Sequence, residues 1–348
     1  MNINEILERA RSEKCSDVHI TEGLPITFRK NGKLIKQDIP LAKGEGSELI
    51  LSMCTREQRE FLESGNDLDF AYNTGEKKRY RVNVYEHMTG LSAAIRVIND
   101  YIPSMEDLNL PKVFEKLAKE PRGLVLLTGP TGSGKSTSLA SMIDYITKNK
   151  GTHILTVEDP IEYVFDQNES LVHQRELGHS VNSFATALKS AMREDPDIIL
   201  VGEMRDYETI STAITAAETG HLVFSTLHTT GAADTIDRII DTCPPESQNQ
   251  MRSQLSMVLR GVVTQQLLPT ADGSSRVCAT EILLGTDPVK NLIREGKNHQ
   301  IGSILESSVA MGMHTLNRDL GRLVKAGIIT KEVAVNASTD KSDLEHYL

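Results

Sequence analysis

No stretch of this sequence is apolar for long enough to cross a bilayer, and its opening, MNINEILERARSEK, lacks the apolar segment of a secretory leader. The expectation is a protein that stays in the cytoplasm. Cysteine is scarce as well: Cys15, Cys54, Cys243 and Cys278 are scattered with no C-x-x-C pair, which excludes a zinc ribbon and a disulfide framework. Four reduced thiols packed as small apolar side chains are expected. Basic charge is not in excess, since 38 Lys and Arg stand against 48 Asp and Glu for a net charge of −10. A nucleic-acid backbone needs a concentrated basic surface, so no nucleic-acid partner is expected. Internal repeats and low-complexity tracts are also missing. What remains is an ordinary globular composition, 39% apolar and 25% charged, over 348 residues, which is long for one core and comfortable for two domains.

Against these absences one segment stands out. Gly129, Pro130, Thr131, Gly132, Ser133, Gly134, Lys135 and Ser136 spell GPTGSGKS, a full phosphate-binding P-loop, and Thr137 follows. The apolar run Gly123 to Thr128 (GLVLLT) precedes it with strand length, and Ser136 to Lys148 follows with helical spacing. Strand, loop and helix are the context the motif requires. The glycines let backbone N–H groups close around phosphate oxygens, and the helix start adds a dipole that favours an anion. Lys135 is expected to reach the β- and γ-phosphates, and Ser136 to ligate Mg²⁺ through its hydroxyl. The chain therefore binds a nucleoside triphosphate, with ATP and Mg²⁺ as the expected ligands.

The first part of the chain reads differently from the rest. Residues 1–98 combine a helix at Ile3 to Glu13 with short strands at Asp17 to Thr21, Ile26 to Lys30 and Lys33 to Lys36, the last two joined by the hairpin signal Asn31-Gly32. Helices near Ser47 to Met53 and Arg56 to Glu63 follow, then strands at Leu68 to Tyr72, Arg79 to Glu86 and Leu91 to Val97. This predicts a small α+β unit with antiparallel pairing. Residues 99–113, with Pro103 and Pro111, read as a linker. From Phe114 to Leu348 short apolar strands at Leu124 to Leu127, Ile154 to Val157, Ile198 to Val201 and Leu222 to Ser225 alternate with helices such as Phe184 to Arg193 and Tyr207 to Glu218. Such alternation predicts an α/β unit with a parallel sheet whose ligand site lies at the carboxyl ends of the strands. A hairpin-like stretch at Arg276 to Leu283 leads into a helical tail.

Three of these strands end in polar groups. Ile154 to Val157 leads into Glu158-Asp159, Ile198 to Val201 into Gly202-Glu203, and Leu222 to Leu227 into His228. Phosphoryl transfer to water needs a metal ion, a group that orients the attacking water and positive charge on the leaving oxygens. Glu203 suits the metal-side acid, Glu158 the water-orienting base, and His228 a contact to the γ-phosphate. Singly, each carboxylate could as well be a helix cap, as could Asp159 and Asp206, and either His221 or His228 could be a satisfied polar residue beside the core. Beyond Lys135, positive charge could come from Arg193, Arg205 or Arg238 near the acidic ends, or from Arg81 and Arg96 in the first domain, acting in cis or across a subunit boundary.

Together these segments carry a resemblance. HILTVEDPIEY (His153 to Tyr163) resembles the aspartate box of the type II/type IV secretion ATPases, DPDIILVGEMRD (Asp195 to Asp206) their Walker B motif, and AAETGHLVFSTLHT (Ala216 to Thr229) their histidine box. SDVHI (Ser16 to Ile20) and YRVNVY (Tyr80 to Tyr85) resemble their amino-terminal PAS-like domain, so the likeness covers nearly the whole chain. It implies a RecA-like P-loop NTPase domain behind a smaller PAS-like domain, assembled as a homohexameric ring that hydrolyses ATP at the cytoplasmic face of the inner membrane. In that ring Glu158 is implied as the catalytic glutamate, Glu203 as the Walker B acid and His228 as the histidine-box residue, with Arg81 and then Arg193 as candidate trans-acting arginines. The tail segment NLIREGKNHQI (Asn291 to Ile301) resembles that of the PilT retraction motors, although Pro288 to Lys290 departs from their Ala-Ile-Arg. The four-cysteine zinc insertion and long extension of the assembly motors are missing. The implied function is type IV pilus retraction, with an inner-membrane platform protein as partner, pilins acted on indirectly and the membrane reached through proteins. An assembly ATPase for a pilus or competence pseudopilus, or a nucleotide-sensing module without turnover, are the alternatives.

Overall fold

A computed structural model describes residues 1–30, 32–75, 78–98 and 101–348. The chain forms two compact units, one made of Met1–Tyr101 with Pro160–Val164, the other of Ile102–Asp159 with Phe165–Leu348. In the first unit the strands are β1 (Asp17–Thr21), β2 (Thr27–Lys30), β3 (Lys33–Lys36), β4 (Leu68–Asn73), β5 (Arg79–His87) and β6 (Gly90–Val97). They lie in the order β3-β2-β1-β6-β5-β4, and every pairing is antiparallel. The period of two decides which face is covered: on β5 Tyr80, Val82 and Val84 are buried while Arg81, Asn83 and Tyr85 sit on the other face. The inward set packs with Ile6, Leu7 and Ile50 from the helices Ile3–Ser12 and Glu45–Ser52. Asn2 and Glu5 form a capping box that starts the first helix, and Thr55 and Gln58 do the same for Arg56–Glu63. The α+β expectation holds. Asn31 of the hairpin signal, and Asn99 and Asp100 of the expected linker, lie outside the described residues. Pro103 of that linker accepts a hydrogen bond from Ser141 Oγ at 2.5 Å within the second unit.

The second unit is the α/β part. Its strands are β7 (Gly123–Thr128), β8 (His153–Glu158), β9 (Leu171–Glu176), β10 (Ile198–Val201), β11 (Leu222–Leu227), β12 (Leu259–Pro269) and β13 (Arg276–Leu284), in the order β13-β12-β7-β11-β10-β8-β9. All neighbours are parallel except β12 and β13. Every residue of β7, β10 and β11 is buried, as strands covered on both faces require. The helices Lys135–Asn149 and Tyr207–Glu218 fall where periodicity predicts them; Ala232–Asp241 and Gln248–Val258 were not anticipated, nor were β9 and β12. The expected parallel sheet thus carries an antiparallel edge. Polar residues hid two of its strands: β12 contains Thr264 and Gln265, both fully buried, and β9 reads LVHQRE.

Three smaller points resolve here. All four cysteines are free, and burial raises each thiol above its usual range, Cys278 up to about 11. Pro288 sits in the first turn of the helix Asp287–Glu295, where its missing N–H has no helical partner to lose. Asp206 is a cap: its carboxylate accepts from the N–H and the hydroxyl of Thr209, both at 2.9 Å, at the start of Tyr207–Glu218. Asp206→Ala should therefore cost about 1 kcal/mol, whereas Phe224→Ala, in the buried centre of β11, should cost about 3–5 kcal/mol. Denaturant unfolding of the two variants measures the difference, and a larger loss for Asp206→Ala would contradict the capping role.

Candidate active site

Six parallel strands deliver their carboxyl ends to one edge. Leu227 of β11 pairs with Thr128 of β7, and Thr128 with Thr264 of β12, so the residues that enter the P-loop and the His228 loop lie on one row of the sheet. The two threonine hydroxyls meet at 2.9 Å. On the other side Val201 of β10 pairs with both Ser225 and Val157, which brings the ends of β10 and β8 beside that row.

The loop itself is shaped for phosphate. Gly129, Gly132 and Gly134 hold φ of 137, 79 and 90°, the region that favours glycine. A Cβ on Gly129 would stand 2.3 Å from the carbonyl oxygen of Gln265, so β12 closes the loop's base against any side chain. Gly134 ends the loop as the N-cap of Lys135–Asn149 without a side-chain cap, leaving the first amides of that helix for a ligand. Lys135 is buried and its Nζ donates to the carbonyls of Gly129 and Pro130 at 2.7 and 3.0 Å. Ser133 Oγ is buried without a hydrogen-bond partner, Ser136 and Thr137 are half-buried, and Pro130, Thr131 and Gly132 are exposed. An unsatisfied buried hydroxyl, open helix amides and a buried ammonium are the set that a polyphosphate satisfies. Beside the loop lies a cleft of about 970 Å³ lined by Ser133, Gly134, Thr137, Gln265 and Arg276, among others.

The acids differ in how they are held. Glu158, the last residue of β8, is buried, and its Oε1 accepts from Thr156 Oγ1 at 2.7 Å and from Gln174 Nε2 at 3.2 Å. Glu203 follows β10 in a turn fixed at both sides: Gly202 N–H donates to Val157 O at 2.8 Å, Thr226 Oγ1 donates to Gly202 O at 2.7 Å, and Met204 N–H donates to Thr226 O at 3.2 Å. That turn sets Glu203 Oε2 3.5 Å from His228 Nε2, while Oε1 pairs with Arg205 Nη2 at 2.6 Å. His221 has a different place. At the amino end of β11 its Nδ1 lies 2.9 Å from the carbonyl of Ala216, closing the preceding helix.

The structure thus brings Glu158, Glu203 and His228 to the P-loop edge. It does not bring Arg193 there: the residue is exposed in the segment Arg193–Asp197, which lies at the start of β8, where Asp197 N–H donates to His153 O at 2.9 Å. Arg81 is in the first unit, where Nη2 pairs with Asp69 at 2.6 Å and Nε donates to both carboxylate oxygens. Arg96 pairs with Asp17 at 3.2 Å. Sequence reasoning missed Thr156 and Gln174. Thr156 was legible, two residues before Glu158 on the same strand face; Gln174 was not, because β9 was not recognised.

Comparison with known proteins identifies the family. The Type II/IV secretion system protein family matches residues 1–331. The chain belongs to that family. Among relatives, the type IV pilus retraction ATPase PilT of Pseudomonas aeruginosa is 46% identical over 96% of this chain and 97% of its own length. A twitching motility protein of Neisseria gonorrhoeae is 48% identical over 88% of this chain and 82% of its own. A crystal structure of the pilus retraction motor PilT with bound ADP superposes with a TM-score of 0.93 at 45% identity, covering 99% of both chains. As a secretion-system family member the chain has the expected class, an α/β nucleotide-binding unit of RecA-like type behind a smaller α+β unit.

A hydrogen bond to a carboxylate contributes about 1.5–3 kcal/mol, so Thr156→Val should leave Glu158 poorly oriented. The expected result is a kcat for phosphate release reduced about tenfold with nucleotide affinity unchanged. An unaltered kcat would show that Thr156 does not orient the acid.

Proposed function

We propose that this chain is one subunit of a homohexameric ATPase that powers type IV pilus retraction. What supports the reading most is the placement of Glu158, Glu203 and His228 at the same strand edge as a complete P-loop, in a chain that matches the retraction ATPases over almost their whole length. ATP would lie with its phosphates in the loop Gly129–Ser136, held by backbone amides and by Lys135, which exchanges its two loop carbonyls for phosphate oxygens. Its nucleoside would occupy the adjoining cleft, where Gln265 Oε1 is buried without a hydrogen-bond partner.

Among the described residues no group of three His, Cys, Asp or Glu side chains could hold a metal alone. That composition fits Mg²⁺, which keeps water ligands and takes phosphate oxygens, needing little from the protein. Ser136 and Glu203 would hold it, and the ion would neutralise charge on the phosphates. Glu158, oriented by Thr156 and Gln174, accepts a proton from the attacking water. His228, 3.5 Å from Glu203, contacts the γ-phosphate side and responds to its departure. Arg81 is the first candidate for a charge supplied to a neighbouring subunit's site. Arg193, exposed and away from its own chain's strand ends, is the second. No helix of the described residues is long and apolar enough to cross a membrane. The partner at the cytoplasmic face of the inner membrane would be an inner-membrane platform protein, with pilins acted on indirectly.

Glu158→Gln should lower kcat by about a hundredfold or more while ATP still binds, and Lys135→Ala should abolish binding; phosphate release and titration calorimetry measure the two. Wild-type protein that releases no more phosphate than Lys135→Ala would overturn the motor reading in favour of a nucleotide sensor. Deleting the gene separates the directions of force: excess surface pili without twitching is expected, and loss of pili would identify an assembly motor. If Arg81 acts in trans, rings mixed from Arg81→Ala and Lys135→Ala subunits should release phosphate faster than the average of the two pure rings, because a Lys135→Ala subunit lends its Arg81 to a neighbour's intact P-loop; no gain over that average would overturn the trans role.

A further inference from the structure

We propose that Glu281 is a positioning residue that ties the loop carrying His228 to the C-terminal helices. The proposal rests on reading the strand ends as a hydrolysis site. Glu281 lies on β13 opposite Thr264, on the row that runs through Thr128 to Leu227. It therefore stands level with the residues that enter the P-loop and the His228 loop, and paired residues in a sheet point to the same face.

From there its carboxylate reaches two segments far apart in sequence. Oε1 accepts the N–H of Ala232 at 2.8 Å, and Oε2 accepts, at a longer 3.4 Å, the N–H of Leu316. Ala232 begins the helix Ala232–Asp241, with only Thr229, Thr230 and Gly231 between it and His228; Leu316 begins the tail helix Leu316–Lys325. The first of these helices has Gly231 as N-cap and no side-chain cap, so the strand supplies an acceptor that the helix's own chain does not. The loop before it is compact, with Thr229 and Thr235 hydroxyls 2.7 Å apart and Thr235 Oγ1 donating to Gly231 O at 2.6 Å.

The neighbours of Glu281 hold the tail to the same point. Ile282 exchanges both backbone hydrogen bonds with His314 at 3.0 and 3.2 Å, and Thr280 N–H donates to the buried Asp319 at 2.9 Å. Thr280 Oγ1 also lies 2.9 Å from His314 Nε2. Burial raises the Glu281 carboxyl above its ordinary value while its two N–H donors pull it back. A glutamine would fill the same volume without the charge, yet it has one acceptor oxygen where the geometry uses two. Displacement of the His228 loop is thus transmitted through Ala232 and Glu281 to the first turn of the tail helix.

The test compares wild type, Glu281→Gln, Glu281→Ala and Glu281→Ala with Gly231→Ser. A serine at 231 offers the helix a local cap, and its Cβ would meet the end of the Asp234 side chain, at 3.1 Å, and Glu281 Oε1 at 3.8 Å, a contact that Glu281→Ala removes. In Glu281→Gln, kcat should fall about tenfold with KM changed less than about twofold. The change in amide exchange at Leu316–Arg318 that ADP produces in wild type should vanish, while the change at the P-loop persists. Gly231→Ser should restore the Tm of Glu281→Ala but not its kcat. Recovery of kcat together with Tm would mean that Glu281 is only a helix cap, and an unchanged kcat or a retained exchange response in Glu281→Gln would overturn the tie. Should Glu281→Ala not fold, Glu281→Gln carries both readouts. Should wild type show no phosphate release above Lys135→Ala, the hydrolysis reading has failed, and the exchange response to ADP still decides the role of Glu281.

Discussion

The pairing of β7 between β11 and β12 is the constraint on which the rest depends. A parallel sheet aligns its strands in one direction, so every loop that follows a strand emerges at the same edge. Here the pairing Leu227–Thr128–Thr264 fixes that edge to within a residue. The P-loop, the His228 loop and the buried polar residues of β12 are placed by it together. A slip of one residue would turn each of these side chains to the other face of the sheet. The apolar burial of β7, β10 and β11 therefore sets the geometry of the chemistry as well as holding the unit together.

Around that edge the two acids are prepared differently. Glu203 faces Arg205 and His228, in a turn held by backbone bonds to β8 and β11. Glu158 is buried at the end of a strand, with one carboxylate oxygen gripped by Thr156 and Gln174. The two carboxylates therefore differ in surroundings, one in a turn between two basic side chains, the other held by side-chain hydrogen bonds at the end of a strand. The Arg205 ion pair is exposed on the arginine side and adds little stability on its own.

Much of this was legible in the residues. The P-loop, its flanking strand and helix, and the ends of β8, β10 and β11 follow from apolar runs whose borders coincide with motif residues. The antiparallel unit followed from period-two strands such as RYRVNVY. What escaped was polar and buried. Thr264, Gln265 and the run LVHQRE break the apolar signature of a strand, and their hydrogen bonds run to partners distant in sequence: the Thr264 hydroxyl meets Thr128, Gln265 Nε2 donates to Ser138 and Gln174 Nε2 to Glu158. For the same reason Gln174 could not be assigned to Glu158. Single carboxylates were ambiguous until their partners were known: Asp206 proved to be a cap, and His221 a closing residue for a helix.

The closeness of Gly129 to Gln265 has an evolutionary consequence. Because any Cβ there would push β12 away from β7, a descendant chain that gave up ATP could not do so through this residue without losing its sheet. Inactivation by drift would begin instead at positions such as Lys135, Glu158 or Glu203, whose side chains can shrink in place. A family member that keeps this glycine but has lost the lysine would therefore be a former motor still wearing its fold.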